Sequence, residues 1–549
     1  MTDESFVIRT TQRIQAGDYT QARQIVEAQL SARAGDARAL DLLCKLADRS
    51  GDYAHAADWL CRSLEIDTDN HRAYCFLGYV MCKLGQFEAG LECYDKATAL
   101  DPTQPAYFCE RAAALAKIGR HAQAVVAYEQ ALALDPDYAD AHAHLGTSLL
   151  SLGHTDLAIA RFSQAIALDA RCVAAFLNRG NAYLQKQALA SALADYDRAI
   201  ALQPGHALAH ANRAAVLKQL HRLDESLQSS DRSIALDPQY VDARFNKSLT
   251  QLLRGDLAEG FRGYQVRWQT ATFAPIRRPF TQPLWLGEST LQGKRLLVHN
   301  EQGLGDSIQF CRFVTLAARA GAHVIYEVEA PLYDLFQSLE GVATLLRQRE
   351  TVPAFDVYCP VMSLPIAFAC NLQNIPAQTP YLKARPQKMA QWAGRLGPRR
   401  APRIGLVWSG NAMHKADQQR SIALADFLHA LTPDLEYFSL QKELREADAR
   451  ALTTAPHIRH FGHELADFSD TAALCAHMDL VIAVDTSVAH LAGALGVPTW
   501  LLLPHLPDWR WLLDREDSPW YPGMRLIRQT RASDWSTVLN VVRSGLETL

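Results

Sequence analysis

The first half of the chain repeats its small and apolar positions every 34 residues. Gly17, Gly51, Gly85, Gly119, Gly153 and Gly255 share one lattice, with Lys186-Gln187 and Leu220-His221 filling the two steps that lack glycine. Asp101-Pro102, Asp135-Pro136, Asp169-Ala170, Gln203-Pro204 and Asp237-Pro238 form a second lattice. Tyr94, Tyr128, Phe162, Tyr196 and, after a gap at Ser230, Tyr264 form a third. Glycine tolerates positive φ, so it marks where a first helix turns back. Proline opens the next unit, where a helix cannot continue. Small and aromatic positions such as Gly146, Ala158, Phe162 and Ala165 let paired helices approach and interlock. The pattern predicts an α-solenoid over residues 1–269, whose units stack to bury one continuous core and leave a concave groove.

Near Trp268 the period ends, and residues 270–293, rich in Pro, Thr and Arg, read as a linker. From Lys294 onward short apolar runs alternate with longer amphipathic segments. Residues 296–299, 324–328 and 355–358 read as strands, with helices over 306–320 and 332–339. After a Pro-rich break at 375–386, strands follow at 403–408, 436–440, 479–484 and 499–503. This βαβ order predicts parallel sheets in two Rossmann-like lobes, 294–390 and 391–549. A ligand is expected between them, at the carboxyl ends of the strands.

The repeat period resembles that of tetratricopeptide repeats, which are helix-turn-helix units. Asn178, Asn212 and Asn246 occupy one register position in three consecutive units, where earlier units carry Phe76, Glu110 and His144. A side-chain amide both donates to and accepts from an extended peptide backbone. The series resembles the asparagine ladder of O-linked N-acetylglucosamine transferases, whose solenoid holds substrate protein. Ordinary helix-surface asparagines fit the same positions.

Three loops carry candidate chemistry. The first, His299 to Ser307, offers Gly303 and Gly305 for close backbone approach and Asp306 at a helix start, where capping is the favoured reading of this loop taken without the others. The second runs from Trp408 to Ser421. Its Ser409, Asn411, Lys415 and Arg420 suit a diphosphate, and a solvated polar loop is the alternative. In the third, a buried strand ends in Asp485-Thr486-Ser487 and a small-residue helix begins. Free N–H groups and the helix dipole there favour an anion, with His490 in the first turn. A capped helix with a buried histidine would be the reading for a lone histidine, but Asp485 and Thr486 beside His490 favour the anion site. Farther on, Trp509-Arg510-Trp511 forms an aromatic and cationic edge, suited either to a base or sugar or to packing.

Gly305-Asp306 with Asp485-Thr486-x-x-x-His490 resembles the bacterial heptosyltransferases, inverting enzymes of GT-B fold. The resemblance implies that Asp306 is the catalytic base and that Asp485, Thr486 and His490 contact the nucleotide-sugar donor. It makes 294–390 the acceptor-side lobe and 391–549 the donor lobe. Ser487 stands where that family usually has glycine, and its lysine matches Lys415 only loosely. Repeats ahead of such a domain resemble the flagellin glycosyltransferases, which add a nonulosonic sugar such as pseudaminic acid to protein. That resemblance implies a protein acceptor such as flagellin, held by the solenoid groove. Two alternatives stand beside it: transfer to a lipid or glycan, with the solenoid serving localisation, and a non-catalytic adaptor.

Lys+Arg total 55 and Asp+Glu 59, a net charge of −4, which argues against a nucleic-acid binder driven by phosphate neutralisation. No apolar run approaches bilayer length, and the acidic start lacks a signal sequence. The eleven scattered cysteines lack any CxxC pair and read as small buried hydrophobes in a reducing cytoplasm. His457, His460 and His463 read as polar surface, and no metal or cofactor is implied. Solenoids of this kind can dimerise, so a homodimer is one expected assembly.

Overall fold

A computed structural model describes residues 3–33, 35–413 and 417–549. The chain divides into two compact units, Met1–Val216 and Leu217–Leu549. The first is all helical, a succession of antiparallel pairs from Asp3–Gln15 onward. Its early helices are capped as their sequences require, with Asp18, Asp36, Asp52 and Asn70 accepting backbone N–H groups at the helix starts. The lattice glycines 17, 51, 85, 119 and 153 all adopt left-handed φ of 75 to 80°. Gln187 takes the same conformation at φ 58°, so the turn geometry persists where glycine is lost. The small and aromatic lattices prove to be one contact: a Cβ on Gly146 would meet the Phe162 ring at 2.7 Å, and one on Gly180 the Tyr196 ring at 2.7 Å. Six cysteines are buried, but Cys61 is exposed and Cys75, Cys82, Cys93 and Cys172 are half-buried, which corrects their reading as core residues throughout.

The second unit begins inside the repeats. Its helices Leu223–Leu236, Val241–Arg254 and Leu257–Tyr264 lead through a 3-10 turn, Gln265–Gln269, to the first sheet. That sheet comprises β1 (Arg295–His299), β2 (His323–Val328), β3 (Val342–Arg347) and β4 (Val357–Pro360), parallel in the order β3-β2-β1-β4. The second comprises β5 (Arg403–Val407), β6 (Glu436–Ser439), β7 (Ile458–His460), β8 (Leu480–Val484), β9 (Thr499–Leu503) and β10 (Met524–Arg528). All its pairings are parallel and its order is β10-β9-β8-β5-β6-β7. Strands β5 and β8 are buried along their whole length, which is why they read as unbroken apolar runs. Strand order reverses direction between β1 and β4, and again between β5 and β8. The three loops singled out above leave the carboxyl ends of β1, β5 and β8, at these switch points.

Three strands escaped the sequence reading, and each lies at a sheet edge. β3 is half exposed, β7 has three residues, and β10 carries Arg525 and Arg528. Edge strands need no continuous apolar run. The helix expected over 306–320 is two helices, Leu304–Phe310 and Arg312–Arg319. One core joins the last repeat to the α/β region: Leu253, Leu257 and Phe261 pack with Phe310, Trp509 and Trp520.

Candidate functional site

Asp306 lies in the first turn of the helix that follows β1. Its Oδ2 accepts from Gly303 N–H at 2.8 Å, as a capping residue would. Its Oδ1 accepts from Arg510 Nη2, so capping and a second role coexist on one carboxylate. Arg510 is held on three sides. Nε donates to Gln309 Oε1 at 2.6 Å, Nη1 donates to Asp508 Oδ1 at 2.7 Å, and the guanidinium lies 4.3 Å from the Trp509 ring centroid. Burial raises the pKa of Asp306 and the Asp508 carboxylate adds to this, while Arg510 pulls the other way. Lys218, from the end of a repeat helix, faces Asp508; burial lowers the lysine's pKa and Asp508 opposes it.

The helix after β8, Ser487–Ala494, packs against this loop. A Cβ on Gly305 would meet His490 Cδ2 at 3.0 Å and Ser487 Cα at 3.4 Å, so tight approach near Ser487 comes from glycine on the opposing loop. His490 is buried, stacks on Trp511 with ring centroids 5.2 Å apart, and pairs through Nδ1 with the Tyr521 hydroxyl at 2.9 Å. Its Nε2 stands 3.9 Å from Asp485 Oδ1. A carboxyl on that side favours the tautomer with the proton on Nε2 and Tyr521 donating to Nδ1. Burial, then Arg510, Arg312 and Arg420, hold the imidazole well below its ordinary pKa, so it is neutral. Burial and then Asp508 push Asp485 up to about 6, against hydrogen bonding by Trp511 and the charges of Arg420 and Arg510.

On the loop after β5, Ser409 is buried and its Oγ accepts from Gln441 Nε2 at 3.0 Å. Arg420 Nη1 reaches the Asp485 carbonyl at 2.9 Å, joining this loop to the third. Asn411 is exposed and accepts from the Met413 N–H at 2.9 Å, a local turn away from the cluster. Lys415 lies outside the described residues. The structure thus brings together Gly303, Gly305, Asp306, Arg420, Asp485, Thr486, Ser487 and His490. Sequence reasoning did not foresee Gln309, Asp508 or Tyr521 as site residues, and it saw Arg510 only as part of an aromatic edge.

Three buried donor atoms here have no hydrogen-bond partner: Gln309 Nε2, Arg420 Nε and Thr486 Oγ1. Buried polar groups are nearly always paired, so these donors, on the segments after β1, β5 and β8, suit acceptor oxygens of a ligand or of water. Among the described residues, no three His, Cys, Asp or Glu side chains gather as a metal site. No helix among them is long and apolar enough to cross a membrane.

The asparagines stand apart from these loops in sequence. In the first unit, Asn178 Nδ2 donates to Thr147 Oγ1 at 3.3 Å and Asn212 Nδ2 to Asn181 Oδ1 at 3.0 Å, each reaching the preceding repeat. Asn246, in the second unit, is half-buried.

Comparison with known proteins agrees on the repeats. The tetratricopeptide repeat pattern matches residues 143–207, and a second TPR repeat pattern matches 78–119 and 114–153. The chain is 27% identical over 334 residues to Protein FlbA of Caulobacter vibrioides, covering 55% of this chain and 54% of that protein. It therefore spans about half the length of the curated relative it matches. Among solved structures, YrrB, described as a TPR protein with an unusual peptide-binding site, is 22% identical at TM-score 0.31, covering 35% of this chain and all of its own. PilF of Pseudomonas aeruginosa is 18% identical at TM-score 0.34, covering 37% of this chain and 95% of its own. The chain contains tetratricopeptide repeats, followed by an α/β region of parallel sheets.

Proposed function

We propose that the chain is a protein O-glycosyltransferase with two lobes of GT-B type. On this reading it moves a sugar, such as a nonulosonic acid, from a nucleotide-sugar to Ser or Thr of a protein such as flagellin. The observation that carries the reading is the set of unpaired donors from Gln309, Arg420 and Thr486, beside a half-buried aspartate at the switch points of two parallel sheets. A phosphate-linked sugar offers the oxygens those donors lack. The acceptor hydroxyl gives its proton to Asp306 as its oxygen bonds to the anomeric carbon. The bond from that carbon to the phosphate oxygen breaks, and the nucleotide leaves with the electron pair, inverting the centre. Thr486, Arg420 and the start of the helix Ser487–Ala494 receive the leaving-group charge. His490, neutral, with Nδ1 on Tyr521 and Nε2–H toward Asp485, orients Asp485 rather than acting as a base.

The repeat groove would deliver the acceptor. A second reading, transfer to a lipid or glycan with the solenoid used only for localisation, draws on one observation: Asn178 and Asn212 spend an amide hydrogen on the neighbouring repeat. Intact mass spectrometry of flagellin and other surface proteins, with and without this chain, tests both. The proposal expects a sugar-sized mass that Asp306→Ala removes. A protein acceptor that keeps its full added mass with that variant overturns the base assignment, and no protein gaining mass overturns the function.

A further inference from the structure

Arg267 and Glu301 form a wholly internal ion pair, their side chains 0% and 2% exposed. Arg267 sits in the turn Gln265–Gln269 that ends the repeats, and Glu301 in the loop that leads to Asp306. The pairing is a fork: Nε donates to Oε2 at 2.9 Å and Nη2 to Oε1 at 2.8 Å. Nη2 also donates to Ser363 Oγ at 2.8 Å, and Nη1 to the Tyr264 carbonyl at 3.2 Å. Glu301 Oε1 further accepts from Met362 N–H at 3.2 Å. The guanidinium lies 4.5 Å from the Trp268 ring centroid and 5.0 Å from that of Tyr264. The next loop residue is held as well, since Gln302 and the Tyr264 hydroxyl lie 3.1 Å apart. The loop is thus tied at two successive residues to the last turn of the repeats, immediately before Gly303, whose N–H orients Asp306.

A buried pair of this kind adds little to stability over apolar side chains of the same volume, because desolvating two charges offsets their attraction. What a bidentate fork supplies is direction. We infer that Arg267 is a positioning residue: the end of the repeat array sets the register of the loop that presents Asp306. The array is then part of the catalytic unit and not only a tether for the acceptor. The inference rests on Asp306 being the base.

The test uses the full chain with flagellin and a nucleotide-linked nonulosonic acid. Arg267→Met leaves Glu301 buried without its partner, so it lowers both Tm and kcat. Arg267→Met with Glu301→Met removes both charges and recovers most of the lost Tm. Its kcat stays at least about tenfold down with KM for the donor little changed, since a loosened loop misplaces the base but not the donor contacts. Arg267→Lys keeps the charge without the fork and gives the same kcat loss. Wild-type kcat in the double variant or in Arg267→Lys overturns the inference. Asp306→Ala run alongside separates the failures. If it transfers normally, the base reading falls and this inference with it. If it is inactive while the double variant is fully active, only the positioning role falls.

Discussion

Arg510 donates to Asp306 across 204 residues of sequence, and the same guanidinium holds Asp508 and Gln309. Two carboxylates thus share one buried cation. Taking away Arg510 leaves Asp306 without its cation and Asp508 with Lys218 alone, in surroundings that already raise the pKa of Asp306.

Arg510→Gln therefore drives Asp306 toward its protonated form, which on the proposed function cannot accept a proton from the acceptor. The expected result is a fall in kcat/KM of at least about tenfold at pH 7, recovering as pH rises, because the acid limb of the profile moves upward. Stability drops by about 1–3 kcal/mol, less than for a fully buried pair because the Asp306 and Asp508 side chains keep 20% and 37% exposure. A pH–rate profile of transfer, with denaturant unfolding beside it, reads both effects. An acid limb that does not move would show that Asp306 is not the group titrating.

Asp485 gives a prediction of opposite origin. Its folded pKa of about 6 exceeds the ordinary carboxyl value of 3.8. The folded state holds a proton that the unfolded state releases across that window. The stabilisation is therefore complete below about pH 4 and lost as pH rises through 6. Asp485→Asn, which mimics the protonated group, should remove this loss, gaining about 1–3 kcal/mol on wild type between pH 5 and pH 7.5. Denaturant midpoints at the two pH values check it, and parallel curves for the two proteins would sink it.

The repeats and the loops differ in how far sequence reveals them. The repeat array was legible because each lattice is one contact made many times, as Gly146 with Phe162 and Gly180 with Tyr196. The loops after β1, β5 and β8 were legible because buried strands must end in polar residues at a switch point. Arg510 and Asp508 were not legible as partners of Asp306, since their pairing depends on how the tail after β9 folds back onto the helix after β1. Gln309 had no signal at all: it reads as one polar residue on an apolar helix, and only its 0% exposure and half-used amide mark it.

The repeat turns offer a test that involves no chemistry. Gln187 at φ 58° and His221 at φ 59° occupy positions where the other units place glycine. A side chain in the left-handed region costs energy that glycine does not, partly offset by the greater freedom of glycine when unfolded. Gln187→Gly should therefore stabilise the chain by about 0.5–1 kcal/mol. His221→Gly should not, because the His221 ring stacks on His505 with centroids 4.4 Å apart and its removal empties that contact. The same backbone relief is then set against a lost packing partner, and the net change should be zero or negative. Denaturant unfolding of both variants at equal pH separates the two cases. Equal gains would mean that the stack contributes nothing, and no gain at Gln187 would mean that the unit already accommodates its left-handed residue without strain.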